Sequence, residues 1–211
     1  MKTLDSAAAE VNDLESRVGV PPGFFGKLLD EDDWTFVIKL HALFEAACTH
    51  LLLYHFREPN LAQVFSRLEL SGKTTGKLEF LGQLGLLGKE RRRFISSLSE
   101  LRNSLVHDVR NCEFELKTFV GKLPPDALKT FAVSFSPFES GVRKISAAFP
   151  ISDEKLIEQS QIGSVRERAL ANPKLHIWLG AFDVLVSILE MYSYSEYKQW
   201  AKAKEIFDGE E

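Results

Sequence analysis

Apolar side chains recur at helical spacing along most of the chain, and they do so most densely in one stretch. Between Trp34 and Phe56, residues Trp34, Val37, Ile38, Ala42, Phe44, Cys48, Leu51, Leu52 and Phe56 leave almost no polar face, which predicts a central helix buried nearly all round. A second long helix is predicted from Lys174, where Ile177, Trp178, Ala181, Val184, Leu185, Ile188, Leu189 and Tyr192 repeat the same period. Between them, Phe94, Leu98, Leu101 and Leu105 fall at three- and four-residue steps and define a third, one-sided helix beginning near Lys89.

The remaining elements follow from punctuation. Met1 to Val18, rich in alanine and acidic residues, reads as a loosely attached helix that Gly19-Val20-Pro21-Pro22-Gly23 must end. Asp30 to Asp33 offer caps for the central helix. Glu58-Pro59-Asn60 breaks that helix, and a shorter one runs to Leu70. Gly82, Gly85 and Gly88 are expected at turns between short helices. Cys112 to Val120 suits either partial strand alternation or a helix capped by Asn111, Asp126 to Phe131 begins a further helix, and a hairpin is conceivable around Ser140-Gly141. The end, Lys202 to Glu211, is charged and expected to fray. The economical fold is all-α, one domain over residues 1–211, with a core near 30–120, an irregular insertion near 121–173 and a C-terminal helix near 174–207.

Composition narrows the function classes. With 211 residues, 45% of them hydrophobic and sixteen Phe, the chain can bury a full-sized core. The net charge of −4 excludes a uniformly basic nucleic-acid binder. Charge is uneven, however: Ser71 to Arg110 holds eight Lys/Arg against four Asp/Glu. Cys48 and Cys112 form neither a CxxC pair nor a disulfide framework, and Cys48 suits a small core position. No zinc pattern is visible. No signal peptide is apparent and no window is expected to reach membrane-span length, so a cytoplasmic protein with no membrane contact is expected.

Two tempting motifs fail on spacing. In SGKTTGKLEF, Ser71 stands where a phosphate loop needs glycine, and Leu78 where it needs Ser or Thr. His41 and Glu45 stand four apart on the central helix, but a metal site lacks its third ligand. An internal hydrogen bond, or an Arg from a neighbouring helix, accounts for them better.

The stretch LSELRNSLVHDVRN, from Leu98 to Asn111, holds the candidate chemistry. Asn103 and His107 lie one above the other on a helix face beside the leucine stripe, with Arg102 offset around the axis. Cations at a helix C-terminus also complement the macrodipole, so the pattern has a plain structural use. Lys89, Arg91, Arg92 and Arg93 on the same helix, and Arg110 beyond it, are candidate contacts to phosphates.

In order and motif, the region from Asp30 to Val120 resembles the HEPN superfamily, within it the mannitol repressor-like branch. The resemblance rests on the long central helix, the glycine-punctuated KLEFLGQLGLL and the helix ending LRNSLVHD. It implies a helical bundle that forms a homodimer about this helix end, and, for many members, a metal-independent RNase of toxin or defence type that needs no cofactor. Carried over residue by residue, it gives Arg102 and His107 as the catalytic pair and Asn103 as their orienting neighbour. An imidazole, which titrates near neutrality, can move the ribose 2′-hydroxyl proton or protonate the leaving oxygen. A guanidinium can hold the phosphate in two places and stabilise its growing charge. The products would be a 2′,3′-cyclic phosphate and a 5′-hydroxyl. Val109 stands where some HEPN toxins carry a modifiable Tyr, which disfavours that kind of toxin. The other implied reading is a non-catalytic helical dimer that regulates by binding a partner protein, as a mannitol repressor-like module; the partner protein implied is a regulator or, for a toxin, an antitoxin. Direct DNA reading lacks any groove-entering motif.

Overall fold

In the computed structural model, residues 4–72, 74–107, 113–136 and 164–208 are described, with the side chains of 4–10, 199 and 202–208 excepted. All the regular elements among them are helical, so the protein is all-α. The helices are α1 (Leu4–Val18), α2 (Phe24–Lys27), α3 (Asp33–Phe56), α4 (Ala62–Arg67), α5 (Lys77–Gln83), α6 (Lys89–Val106), α7 (Leu116–Gly121), α8 (Pro125–Ser134), α9 (Val165–Ala171) and α10 (Pro173–Asp208).

The central helix is α3. Asp32 caps it by accepting from the Thr35 N–H at 2.8 Å, and the chain leaves it through Arg57 in the left-handed region, φ 52°. Ten of its side chains, from Phe36 to Leu52, are buried. Alongside runs α10, parallel and in fixed register. Lys174 pairs with Asp33 at 2.9 Å, and His50 Nδ1 meets the Tyr192 hydroxyl at 2.9 Å. His55 Nδ1 meets Ser195 Oγ at 2.8 Å, and the Tyr54 hydroxyl donates to Glu196. These links keep a sequence offset of 140 to 143 residues along the whole pair.

Helix α6 packs against the pair through a string of rings. Phe44 meets Phe94 at 5.6 Å between centroids, Phe94 meets Phe135 at 5.2 Å, and Phe135 meets Phe131 at 4.8 Å. Gly180 lets α10 reach this string: a Cβ there would stand 2.4 Å from the Phe135 carbonyl oxygen and 2.8 Å from Phe94 Cε2. Gly180→Ala is therefore expected to lower stability by about 2 kcal/mol, through overpacking against a backbone that cannot yield. Urea unfolding should show the midpoint falling with an unchanged slope.

Several expectations change. Helix α1 is firmly docked: Val11 and Leu14 are buried, and the Glu15 carboxylate accepts from the backbone N–H of Gly23 at 2.6 Å and Phe25 at 2.8 Å. The Gly-Pro-Pro-Gly break brings those amides round, with Gly19 and Gly23 both at positive φ. The stretch before Val120 is helical, with Glu115 and not Asn111 at the N-cap of α7. The described flanks of the expected insertion belong to the bundle. Pro125 starts α8, as a proline at the first turn can, and Ser164 with Glu167 forms a capping box for α9. The possible hairpin at Ser140-Gly141 lies outside the described residues. The C-terminal helix continues through Lys202 to Asp208.

The expectation that no window reaches membrane-span length is also overturned. Asp33–Phe56 and Pro173–Lys198 are long and apolar enough to cross a membrane by length and composition. Within the bundle, 56% and 83% of those windows is buried, and helices covered on most sides by other helices need the same apolar surface.

Helix α10 also carries a titratable group into the core. His176 is 1% exposed and its Nε2–H donates to the Ala132 carbonyl at 2.9 Å. Burial pushes its pKa down to about 4, with the nearby Arg168 charge acting in the same direction and the hydrogen bond opposing it. Below about pH 6.5 the unfolded chain takes up a proton that the folded one refuses, so stability falls as pH drops. The loss is expected to reach about 3 kcal/mol near pH 4 and to level off below it. Comparing wild type with His176→Gln over this range isolates the contribution, the variant showing the shallower decline.

Candidate functional site

The three residues singled out from the sequence sit at the C-terminal end of α6. The helix buries Phe94, Leu98, Leu101 and Leu105, and its last turns turn their other side outward. Arg102 is half-buried, whereas Asn103 and His107 are exposed. Arg102 donates from Nη1 to Asn103 Oδ1 at 3.1 Å. The amide thus takes one edge of the guanidinium and limits its orientation, while the rest of the fork keeps donors for an anion. His107 follows as the C-cap residue in the right-handed region, φ −79°.

The basic run at the other end of α6 behaves differently. Arg91 reaches Asp183 of α10 at 3.7 Å, and that carboxylate is 4% exposed. Arg92 reaches Glu79 of α5 at 3.8 Å and lies flat against Gly82, where a Cβ would meet Nη1 at 2.4 Å. These two arginines tie α6 to its neighbours. Lys89 and Arg93 remain exposed, but by helical rise they stand about 20 and 14 Å along the axis from Arg102. The structure therefore separates the candidate catalytic end from most of the candidate phosphate contacts. Arg110 lies outside the described residues, as do Asp108, Val109 and Cys112.

On α3 and α5 is a cluster of charged and titratable groups, one of which, His41, feels the charge of Arg102. Lys77, the first residue of α5, is 1% exposed and donates to Glu45 Oε1 at 2.9 Å. Its partner carboxylate opens to solvent, with 43% of the side chain exposed. The Lys of the apparent phosphate loop thus points into the bundle. It also fills the role expected of an arginine, giving Glu45 its cationic partner from a neighbouring helix. His41, one turn before Glu45, is 9% exposed. Burial lowers its pKa first of all; Glu45 opposes this, and the charges of Arg102 and Lys77 add to it. Cys48 continues the buried stripe, and burial pushes its thiol up to about 12, which leaves it inert. Among the described residues no group of three or more His, Cys, Asp or Glu side chains is placed to hold a metal ion.

Lys77 was not legible as part of this cluster. The one signal was Glu45, the lone carboxylate in the middle of a largely apolar helix, which calls for a cationic partner from a neighbouring helix. A cavity of about 390 Å³ lies elsewhere on α6, lined by Ser97, Leu101, Ser104, Phe119 and Phe131. None of Arg102, Asn103 and His107 faces it. Set against protein-family models, curated proteins and solved structures, the chain gives no significant match in any of the three comparisons.

Proposed function

We propose that the chain is a HEPN-like, metal-independent endoribonuclease of toxin or defence type, acting in the cytoplasm as a homodimer through Arg102, Asn103 and His107. The observation that supports this reading most is the arrangement at the end of α6. A guanidinium tethered to an amide at 3.1 Å stands in the same exposed turns as an imidazole, away from the leucine face. In the proposed reaction the ribose 2′-oxygen attacks phosphorus, the bond to the 5′-oxygen breaks, and the 2′-hydroxyl proton is taken up as the leaving oxygen receives one. His107 serves in that proton transfer, Arg102 holds the non-bridging oxygens as charge builds on them, and Asn103 holds Arg102.

A second reading is a non-catalytic, mannitol repressor-like dimer that regulates through protein contacts. It is favoured by the apolar side chain of Val106, 38% exposed between Asn103 and His107, which suits a protein surface better than an anionic one. Incubating the purified protein with single-stranded RNA in EDTA decides between them. The nuclease reading expects cleavage by wild type and loss of it in Arg102→Ala and His107→Ala, whereas intact RNA leaves the regulatory reading.

A further inference from the structure

The cavity beside α6 is written into the sequence of the two helices that flank it. Ser97, Glu100, Leu101 and Ser104 fall at steps of three and four, so they share one stripe of α6. Ala127, Thr130, Phe131 and Ser134 repeat the same steps on α8. Stripes of this spacing ordinarily interlock through large apolar side chains. Here only Leu101 and Phe131 are of that kind, and the remaining positions hold Ser, Thr, Ala or Glu. The helices therefore leave space between them, about 390 Å³ of it, with Phe119 of α7 on a further side.

The polar groups of this space divide into two sets. Ser104 Oγ donates to the Leu101 carbonyl at 2.6 Å and Thr130 Oγ1 to the Asp126 carbonyl at 2.9 Å, so both are satisfied within their own helices. Ser134 is different. It is 4% exposed and lines the cavity, yet its hydroxyl has no hydrogen-bond partner among the described residues, an arrangement that buried hydroxyls seldom tolerate. The Ser97 hydroxyl and the Glu100 carboxylate are likewise without a partner among the described residues. Phe94, three residues before Ser97, meets Phe135, one after Ser134, at 5.2 Å, so the two open hydroxyls lie towards the same end of the gap. No Lys, Arg or His is among the described residues that line it, which leaves Glu100 as its one charge. The apolar wall is largely aromatic, with Phe119 and Phe131 6.4 Å apart and Phe131 and Phe135 4.8 Å apart between centroids.

From these observations we infer that the cavity between α6, α7 and α8 is a binding site for a small organic cation, a protonated amine on an apolar body. The unpaired carboxylate sets the sign of the ligand, and phenyl faces, which attract positive charge, agree with it. The N–H groups of the amine find their acceptors in Glu100, Ser97 and Ser134, while Leu101, Phe119 and Phe131 cover its apolar part. The volume suits a small molecule, at the lower end of the range for such pockets. The site stands apart from the nuclease reading, since none of Arg102, Asn103 and His107 faces it.

Three probes of nearly one shape test this by titration into the full-length protein, followed in ¹H–¹⁵N NMR spectra: 2-phenylethylammonium, neutral 2-phenylethanol and anionic phenylacetate. The cation is expected to give saturable shifts centred on Ser97, Phe131 and Ser134 and to bind about tenfold more tightly than 2-phenylethanol, with phenylacetate weakest. Glu100→Gln, at an exposed side chain, is expected to remove that tenfold preference and leave the affinity for 2-phenylethanol unchanged. If the cation gives no saturable shifts, or shifts centred away from these residues, the gap holds only water and the inference falls. Equal binding of the three probes, tighter binding of phenylacetate, or a preference that survives Glu100→Gln overturns the assignment to a cation. None of these outcomes depends on whether the protein cleaves RNA.

Discussion

Replacing Trp178 by alanine is expected to lower the unfolding free energy by about 4 kcal/mol, the largest stability effect of any substitution discussed above. The indole is fully buried. It stacks on Phe25 with centroids 4.7 Å apart and planes 16° from parallel, and its Nε1–H donates to the Phe25 carbonyl at 3.0 Å. Alanine removes the stacked surface, opens a cavity that rigid helices close poorly, and takes away the indole hydrogen bond to the Phe25 carbonyl, which then keeps the Leu28 N–H as donor. Trp178→Phe separates these contributions. It keeps most of the stack and loses the hydrogen bond, so a loss of about 1 to 2 kcal/mol is expected. Circular dichroism in urea reads both, since the remaining tryptophans, Trp34 and Trp200, then do not complicate the signal. Equal losses for the two variants would mean that the stack contributes little.

His107→Ala is expected to do the opposite: to leave folding almost untouched and to reduce RNA cleavage about 10²- to 10⁴-fold, the usual range for removing a general acid or base. The ring is exposed at the C-cap of α6 and outside the leucine face, so its removal should shift stability by no more than about 0.5 kcal/mol. That separation between activity and stability is what distinguishes a reactive group from a structural one. Arg102→Ala should reduce cleavage by about 10²- to 10³-fold, with a slightly larger effect on stability because its guanidinium is half-buried and bonded to Asn103. If His107→Ala instead unfolds the protein at the temperature of the assay, the imidazole belongs to the fold.

Much of the architecture was legible because periodicity reports burial directly. The boundaries of α3 and the start of α10 follow from apolar runs that only a helix surrounded by others can bury. That same all-round apolarity explains why two core helices reach membrane-span length and composition, and why spacing by itself does not separate the two cases. The docking of α1 was hidden for a different reason. Glu15 satisfies two backbone amides beyond a proline-rich turn, and backbone partners leave no trace in the identities of residues 23 and 25. The register of α3 against α10 was equally invisible, since nothing local ties His50 to Tyr192 or His55 to Ser195 until the helices are side by side.

The candidate site shows the same division. Arg102, Asn103 and His107 were recognisable because one helix places them, and local spacing suffices for that. Arg91 and Arg92 read as free cations because their carboxylate partners, Asp183 and Glu79, come from other helices. Lys77 is the converse case: spacing already ruled out a phosphate loop around it, but only the folded chain shows that Glu45 holds it inside. Charge pairs across helices are tertiary facts, and the local sequence carries only the unpaired half of each.

The account turns on whether the end of α6 cleaves RNA by internal transesterification. The most direct measurement is the chemistry of the fragment ends produced from single-stranded RNA in EDTA. The account predicts 2′,3′-cyclic phosphate and 5′-hydroxyl ends from wild type, and none from His107→Ala. Intact RNA, 3′-hydroxyl with 5′-phosphate ends, or undiminished cleavage by His107→Ala would contradict it.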